Sequence, residues 1–406
     1  MNYIPIDLII QISSRLPAKS IARFRCVSKL WSSTFHRSYF TELFLTRSSA
    51  HPRLLFALKR DVPIDRNSEW LFFSSTQPPN PYGKASLLAA SYSHLKCPED
   101  TWLDFCGYVS GLICFTHDVW IAKGDERRVH VICNPSTGQY ASLPSLKIYR
   151  NSRSYLGFDP IDKQFKVLSV ADDGHKILTL GIGEMSWRKI QCCPLSLSRC
   201  FSQGICINGV LYYFAQFDGT YRIVCFDIKS ENYKLIDVEL FYFEGKLINY
   251  KGELSVILWK YGDNGTMELY MLILEDTEKQ RTSKYVYTLE DDKYFDRYNE
   301  VSVAGVTATG AIVFSVRRMR RIRKPFRVFY FNPEKDTLQS IKIKGFGAEF
   351  YAWNNEIYTF VDHVEDLRFD ITKTTYCCNI YKPPITGLDA FGSINKFGAL
   401  CLSDDD

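Results

Sequence analysis

The sequence predicts a small all-α module at the N-terminus followed by an all-β propeller of roughly five to seven blades. Three observations lead there. Apolar residues recur at helical spacing only before about residue 46, whereas from Arg53 onward short runs rich in Val, Ile, Tyr and Phe alternate with Gly, Asn, Asp and Pro clusters. No long helical pattern interrupts those runs. Two kinds of hairpin signature also recur as a pair, at intervals of roughly forty to sixty residues, which suits a four-stranded blade better than a sandwich.

The helical part begins at Pro5, which suits a first turn because a missing N–H costs nothing there; Leu8, Ile9, Ile12 and Leu16 then share one face. Pro17 ends that helix. A second fits Ala18 to Arg25, with Ile21 and Phe24 three apart, and Ser28 is placed to cap a third in which Trp31 and Phe35 are neighbours. Ser38 to Thr46 reads as a last helix or helical turn. Three short helices bury too little surface to fold alone, so their apolar faces must meet either a partner or the rest of the chain. Periodicity leaves both possibilities open.

In the β portion one signature is a small turn residue followed by a strand, as at Gly111–Phe115, Gly209–Phe214, Gly252–Ile257, Gly310–Phe314 and Asn355–Phe360. The other is a strand ending in Asn-Pro or Phe-Asp, a polar turn and a second strand. It occurs at Ile132–Tyr140, Gly157–Phe165, Cys225–Tyr233, Tyr330–Leu338 and Arg368–Thr372. In each, the Asp or Asn side chain is placed to accept from backbone N–H groups ahead of it and so to set the turn.

The 406 residues are 46% apolar and 15% aromatic, which excludes a disordered chain. Thirteen cysteines without a Cys-x-x-Cys pair read as buried thiols of a reducing compartment, and they argue against a zinc ribbon or a RING-type domain. No metal or cofactor is expected. Met1-Asn2-Tyr3 leads straight into the first helix without a signal peptide, and no apolar run is long enough to span a bilayer, so the expectation is a soluble intracellular protein of the nucleus and/or cytoplasm. Residues 1–60 hold ten Lys and Arg against two acids, which leaves the remainder at −3 within a net charge of +5. Such a basic N-terminus suits an acidic partner or simply a solvated face.

The run Pro5-x-Asp7-Leu8-Ile9-x-x-Ile12, then Arg15-Leu16-Pro17-x-Lys19-Ser20-Ile21, then Arg23-Phe24-Arg25-Cys26-Val27-Ser28-Lys29-x-Trp31 resembles an F-box of the form common in a large plant family. Two positions depart from it: Gln11 stands where an acid is usual and Ser13 where a leucine is, which weakens the apolar stripe. Gly107–Cys114, Asn134–Gly138, Tyr155–Pro160, Trp187-Arg188, Gly204–Gly209 and Ile248–Gly252 resemble the type 3 F-box-associated domain of the same family, which is kelch-like. The resemblance implies four segments: an F-box at 1–46, a linker and first strands at 47–100, the propeller domain at 101–400, and an acidic tail at 401–406. It implies docking on a Skp-type adaptor, and so on cullin and RING subunits, through Pro5, Leu8, Ile9, Ile12, Leu16, Ile21, Phe24, Val27 and Trp31. Skp-type adaptors are acidic as a family. The propeller would hold an unidentified target for ubiquitination, and the chain itself would not be an enzyme.

Catalytic patterns are missing or incomplete. Gly305 to Gly310 has phosphate-loop glycine spacing but Ala311 where the lysine belongs; Gly181-Ile182-Gly183 lacks its third glycine; the seven histidines are scattered. Asp159, Asp162, Asp227 and Asp370 fall at turn positions rather than in an acid–base pair. The most unusual local feature is the basic run 317–327, with Arg317, Arg318, Arg320, Arg321, Arg323 and Lys324 between two strands. It reads as a solvated loop, an import signal, or a patch for an acidic partner or nucleic acid, the last disfavoured because no stacking aromatics accompany it. The alternatives to a ligase subunit are an interaction protein with a decayed F-box, or a basic nucleic-acid-associated protein using Arg317 to Arg327.

Overall fold

The fold comes from a computed structural model, which describes residues 4–62, 67–78, 86–96, 101–122, 125–147, 152–171, 174–181, 185–191, 197–217, 220–238, 244–261, 266–276, 281–290, 300–318, 325–346 and 355–371. The expected tail at 401–406 lies outside these residues. Four helices open the chain: α1 (Ile6–Ser13), α2 (Ala18–Arg25), α3 (Lys29–Phe35) and α4 (Ser38–Ser49). Pro5 and Pro17 stand at the N-caps of α1 and α2 and supply no side-chain cap, whereas Ser28 Oγ accepts from the Trp31 N–H at 3.2 Å. α4 runs three residues beyond the expected Thr46, over Arg47 and Ser48, which both bond to other elements.

The stretch expected as linker and first strands carries β1 (Arg53–Val62), β2 (Asn67–Thr76), β3 (Ser86–Leu88) and β4 (Ala90–Lys96). A four-stranded sheet follows, β5 (Asp104–Val109), β6 (Leu112–Ala122), β7 (Asp125–Asn134) and β8 (Gln139–Ser142), with β9 (Leu146–Lys147) also on β7. Three more repeat the pattern. They are β10 (Arg153–Asp159) to β13 (Arg188–Ile190) through β11 (Gln164–Ala171) and β12 (Gly174–Thr179); β14 (Leu197–Ile207) to β17 (Tyr233–Asp237) through β15 (Val210–Phe217) and β16 (Thr220–Asp227); and β18 (Glu244–Tyr250) to β21 (Arg281–Glu290) through β19 (Glu253–Tyr261) and β20 (Thr266–Asp276). Then come β22 (Glu300–Val306), β23 (Ile312–Arg318), β24 (Arg327–Asn332), β25 (Thr337–Lys344) and β26 (Glu356–His363).

β26 returns to the start of the chain and pairs antiparallel with β1, from Leu55↔Phe360 to Lys59↔Glu356. The blade β26-β1-β2-β4 is therefore built from both ends of the sequence and closes a ring of six, within the expected range. A lone pair, Arg318↔Glu356, joins β23 to β26, and β3 lies parallel on the outer edge of β25. Closure leaves no open edge between first and last blades.

Middle strands lie between two neighbouring blades and are covered on both faces, so they do not alternate; β11 is buried at every position after Gln164. Leu168, Tyr155 and Tyr213 fill the space between the third and fourth blades, and Leu55, Trp70, Phe72 and Phe115 that between the first and second. Turn chemistry follows the expected signature. Asn134 Oδ1 accepts from Ser136 N–H at 2.9 Å, Asp159 Oδ1 from Ile161 N–H at 2.8 Å, and Asn332 Oδ1 from Glu334 N–H at 2.9 Å. The Asn208-Gly209 pair, at φ of +49° and +86°, takes the left-handed conformation that a two-residue hairpin requires.

Two expected repeats are corrected. The run Asn355–Phe360 does lead into a strand, β26, but that strand is the innermost of its blade and pairs with β1. Arg368–Ile371 forms no strand at all; this stretch lies between the helices, which Asp370 meets through His36, and the second and third blades, against which Phe369 and Ile371 pack.

Candidate docking faces at the two ends of the propeller

The N-terminal helices divide their apolar residues between two surfaces. Pro5, Leu8 and Ile12 lie within about 60° of one another around α1, and all three are exposed, Leu8 by 53% and Ile12 by 59%. Val27, in the turn before α3, and Leu30, in its first turn, are 64% and 60% exposed. Ile9, Leu16, Phe24 and Trp31 are half-buried. Ile21 is fully buried among Ile10, Ala18, Phe35, Phe40 and Phe44. It therefore supports the outer surface from behind and presents nothing to a partner. Trp31 stacks edge-on against Phe24 and Phe35, with ring centroids 5.0 and 5.4 Å away.

The two departures from the F-box pattern have structural roles. Ser13 is buried, about 100° around α1 from Ile12 and about 140° from Leu8, so it does not interrupt the outward stripe in the way the sequence suggested. Gln11 ties α1 to α4: Arg47 donates to its carbonyl oxygen at 2.9 Å and to its side-chain Oε1 at 2.5 Å.

The inward surface is completed by the chain itself. Leu367, from the stretch after β26, is buried inside the helical cluster. Around it the joint is polar and paired. Glu365 Oε2 accepts from the Ala18 N–H at 2.7 Å, and the Glu365 N–H donates to Ser48 Oγ at 2.8 Å. Tyr92 donates to the same carboxylate. Arg25 donates to the carbonyls of Phe35 and Leu367 at 2.8 and 3.3 Å, and burial pulls its guanidinium below the usual value despite nearby Asp370. His36 Nε2 lies 3.1 Å from Asp370 Oδ2, and Lys163 of the third blade reaches Glu42 of α4 at 2.5 Å.

The inner strands β26, β5, β10, β14, β18 and β22 all run toward this helical end. At the opposite end, where they start, a cavity of about 1170 Å³ opens along the ring axis. Its wall includes Lys59, Arg153, Lys246, Arg317 and Arg318, and the carboxylates of Asp104, Glu300 and Glu356. Arg317 and Arg318, the first two cations of the basic run, end β23 here. Arg318 pairs with Glu356 and stands 3.7 Å from Glu300; Arg317 lies over the Tyr358 ring at 5.4 Å. Burial pushes the Glu356 carboxyl up, but Arg317, Arg318 and the Tyr358 hydroxyl outweigh it and hold it below the usual carboxylate range. Lys246 Nζ donates to Val303 O at 2.7 Å, and burial together with Arg317 pulls its ammonium down to about 8. Arg320, Arg321, Arg323 and Lys324 fall outside the described residues.

Comparison with known proteins accounts for both parts of the chain. A family model for the F-box domain matches residues 2–43, and one for the F-box associated beta propeller domain matches residues 53–364. This chain belongs to the F-box proteins. Among its relatives, F-box protein At3g57590 of Arabidopsis thaliana is 49% identical over 95% of this chain and 98% of its own length. Putative F-box protein At1g33020 of the same plant is 50% identical over 100% and 80%. Likenesses to solved structures are slight, at 10% identity and a TM-score of 0.42 for TolB from Acinetobacter baumannii, which covers 82% of this chain and 73% of that one. They bear on nothing further.

In this F-box protein the stretch from Arg53 already belongs to a blade, since β1 pairs with β26. No group of three metal-ligating side chains occurs among the described residues, and no helix there is long and apolar enough to cross a membrane. Residues 307–310, with near-phosphate-loop spacing, form the turn between β22 and β23, where Gly310 takes φ +87°. Reading the sequence missed Leu30, Leu367, Glu365 and the cavity. Leu30 was legible, three residues from Val27. The others depend on residues that approach only after the ring closes.

Proposed function

We propose that this F-box protein is the substrate-recognition subunit of a Skp–cullin–F-box ubiquitin ligase, and that it performs no chemistry itself. It docks on a Skp-type adaptor through the outward surface of α1 and the start of α3, and it holds a target protein on the propeller. Holding both makes ubiquitin transfer effectively intramolecular. The observation that carries the reading is the division of the helical residues: Leu367 fills the inward face, yet Pro5, Leu8, Ile12, Val27 and Leu30 stay exposed on a basic module. Apolar side chains left in water on a small folded module mark an interaction surface.

The test is co-expression with a plant Skp-type adaptor and pulldown of the wild type beside a Leu8→Ala, Ile12→Ala variant. Both residues are exposed, so the variant should melt at the wild-type temperature. Co-purification that the variant loses supports the reading. A folded wild type that fails to bind, or a variant that binds equally well, overturns it in favour of an interaction protein with a decayed F-box.

A further inference from the structure

We propose that the cavity at the start of the inner strands receives an acidic peptide segment of the protein to be ubiquitinated, an inference that rests on the ligase-subunit reading. The cations of the wall outnumber its carboxylates, and the pairing is uneven. Lys59 is answered by Asp104 at 3.0 Å, while Arg317 and Arg318 share Glu356. Arg153 and Lys246 have no carboxylate within ion-pair distance among the described residues. Arg153 is exposed at the start of β10, and Lys246 is held by backbone carbonyls alone, at 2.7 and 3.3 Å. An ammonium satisfied only by carbonyls in a partly buried place gains most from an incoming anion.

Two further groups on the wall lack partners among the described residues. Trp259 Nε1 and Thr359 Oγ1 are buried without a hydrogen bond, although both residues line the cavity. Each is a donor whose bonding an acceptor brought into the cavity would complete. Tyr358 and Phe360 add aromatic surface beside the cations. The wall therefore suits carboxylates and an apolar side chain together, the composition of a peptide rather than of a simple inorganic anion.

The shape decides against nucleic acid. The cations sit inside a concavity bounded by inner strands, with three carboxylates among them, whereas a duplex backbone needs a continuous basic stripe. A bent loop or chain end fits such a hollow. The position also serves the proposed role, since the cavity opens at the end of the propeller away from the F-box, so an occupant would not compete with the adaptor.

The experiment uses the full chain co-purified with its adaptor, which separates the two readings: failure to form that complex speaks against the ligase role, not against the cavity. A phage-displayed library of random short peptides is selected on the immobilised complex. The expected result is enrichment of peptides rich in Asp and Glu with an aromatic or aliphatic residue. Their capture should fall about tenfold or more in Arg153→Gln and in Lys246→Gln, and stay unchanged in Lys229→Gln, at a turn on the helical end. Arg153 is exposed, so its variant remains informative if Lys246→Gln misfolds. Enrichment of neutral or basic peptides, no enrichment, capture indifferent to Arg153, or displacement of the peptides by single-stranded DNA at lower concentration than by a Glu-rich peptide would each overturn the proposal.

Discussion

The backbone N–H of Ala18, first residue of α2, is capped by the carboxylate of Glu365 at 2.7 Å, across 347 residues of chain. Pro17 stands at the N-cap and supplies no side-chain acceptor, so the helix start would otherwise be left unsatisfied in a buried place. A carboxylate is the favoured occupant there, because it meets the positive end of the helix as well as the free N–H. The propeller thus finishes a helix that belongs to the F-box.

Glu365→Ala should therefore lower stability by about 1–3 kcal/mol, since it strands both the Ala18 N–H and the Tyr92 hydroxyl. Hydrogen exchange should show the loss first at the start of α2. Exchange there at the wild-type rate would mean that the cap contributes nothing.

Leu367→Ala should leave a cavity in the helical cluster and cost about 2–5 kcal/mol. Because Leu367 comes from the far end of the chain, the change should loosen α1 to α4 while the blades keep their protection. Hydrogen exchange of α1 to α4 beside that of the blades, followed along a urea series, would reveal that separation.

Stability should fall as the solution is acidified from pH 7 toward 4. Burial, with Arg53 adding to it, pulls the imidazole of His363 down to about 3, and burial with Arg128 and His117 does the same for His130. The unfolded chain protonates each near 6.5, so between 6.5 and about 3 unfolding takes up a proton at each site, and each contributes a loss of up to about 1.4 kcal/mol per pH unit. In His363→Gln, which retains polar atoms toward Tyr108 and Ser136, the fall in melting temperature with acid should be shallower. An unchanged slope would rule this residue out as a source.

Gly209→Ala should cost about 1–2 kcal/mol. The residue sits at φ +86°, and a Cβ there would stand 3.1 Å from Pro160 of the neighbouring blade. Thermal melting of the purified variant measures it, and Gly181→Ala, with open space around its Cβ and no positive φ, is the control.

Much of this molecule was legible from local chemistry. The helices could be read from Pro5, Pro17 and Ser28 with apolar residues at helical spacing, and the turns from Asn134, Asp159 and Asn332, because each of those signals acts over a few residues. The same local reading went astray at Arg368, and at Asn355 it gave a strand without its place in the blade. Both carry the residues of a blade repeat, but β1 occupied the place beside β26, and the chain from Val364 to Ile371 met the helices at Leu367 and the second and third blades at Phe369 and Ile371 without adding a strand.

The division of the F-box residues shows the same limit on a smaller scale. Spacing assigns Leu8 and Ile12 to one face of α1, and that holds in the fold. It says nothing about which helix lies behind Ile21, so a buried residue and an exposed one looked alike in the sequence. Short-range patterns, then, were enough for fold class, helix limits and turn positions, since steric and hydrogen-bonding preferences act between near neighbours. Which apolar residues stay in water, how Glu365 and Leu367 complete the F-box, and how Arg153, Lys246 and Arg317 come to share one cavity were settled by closure of the six-bladed ring, because only packing brings residues so distant in the chain within bonding reach.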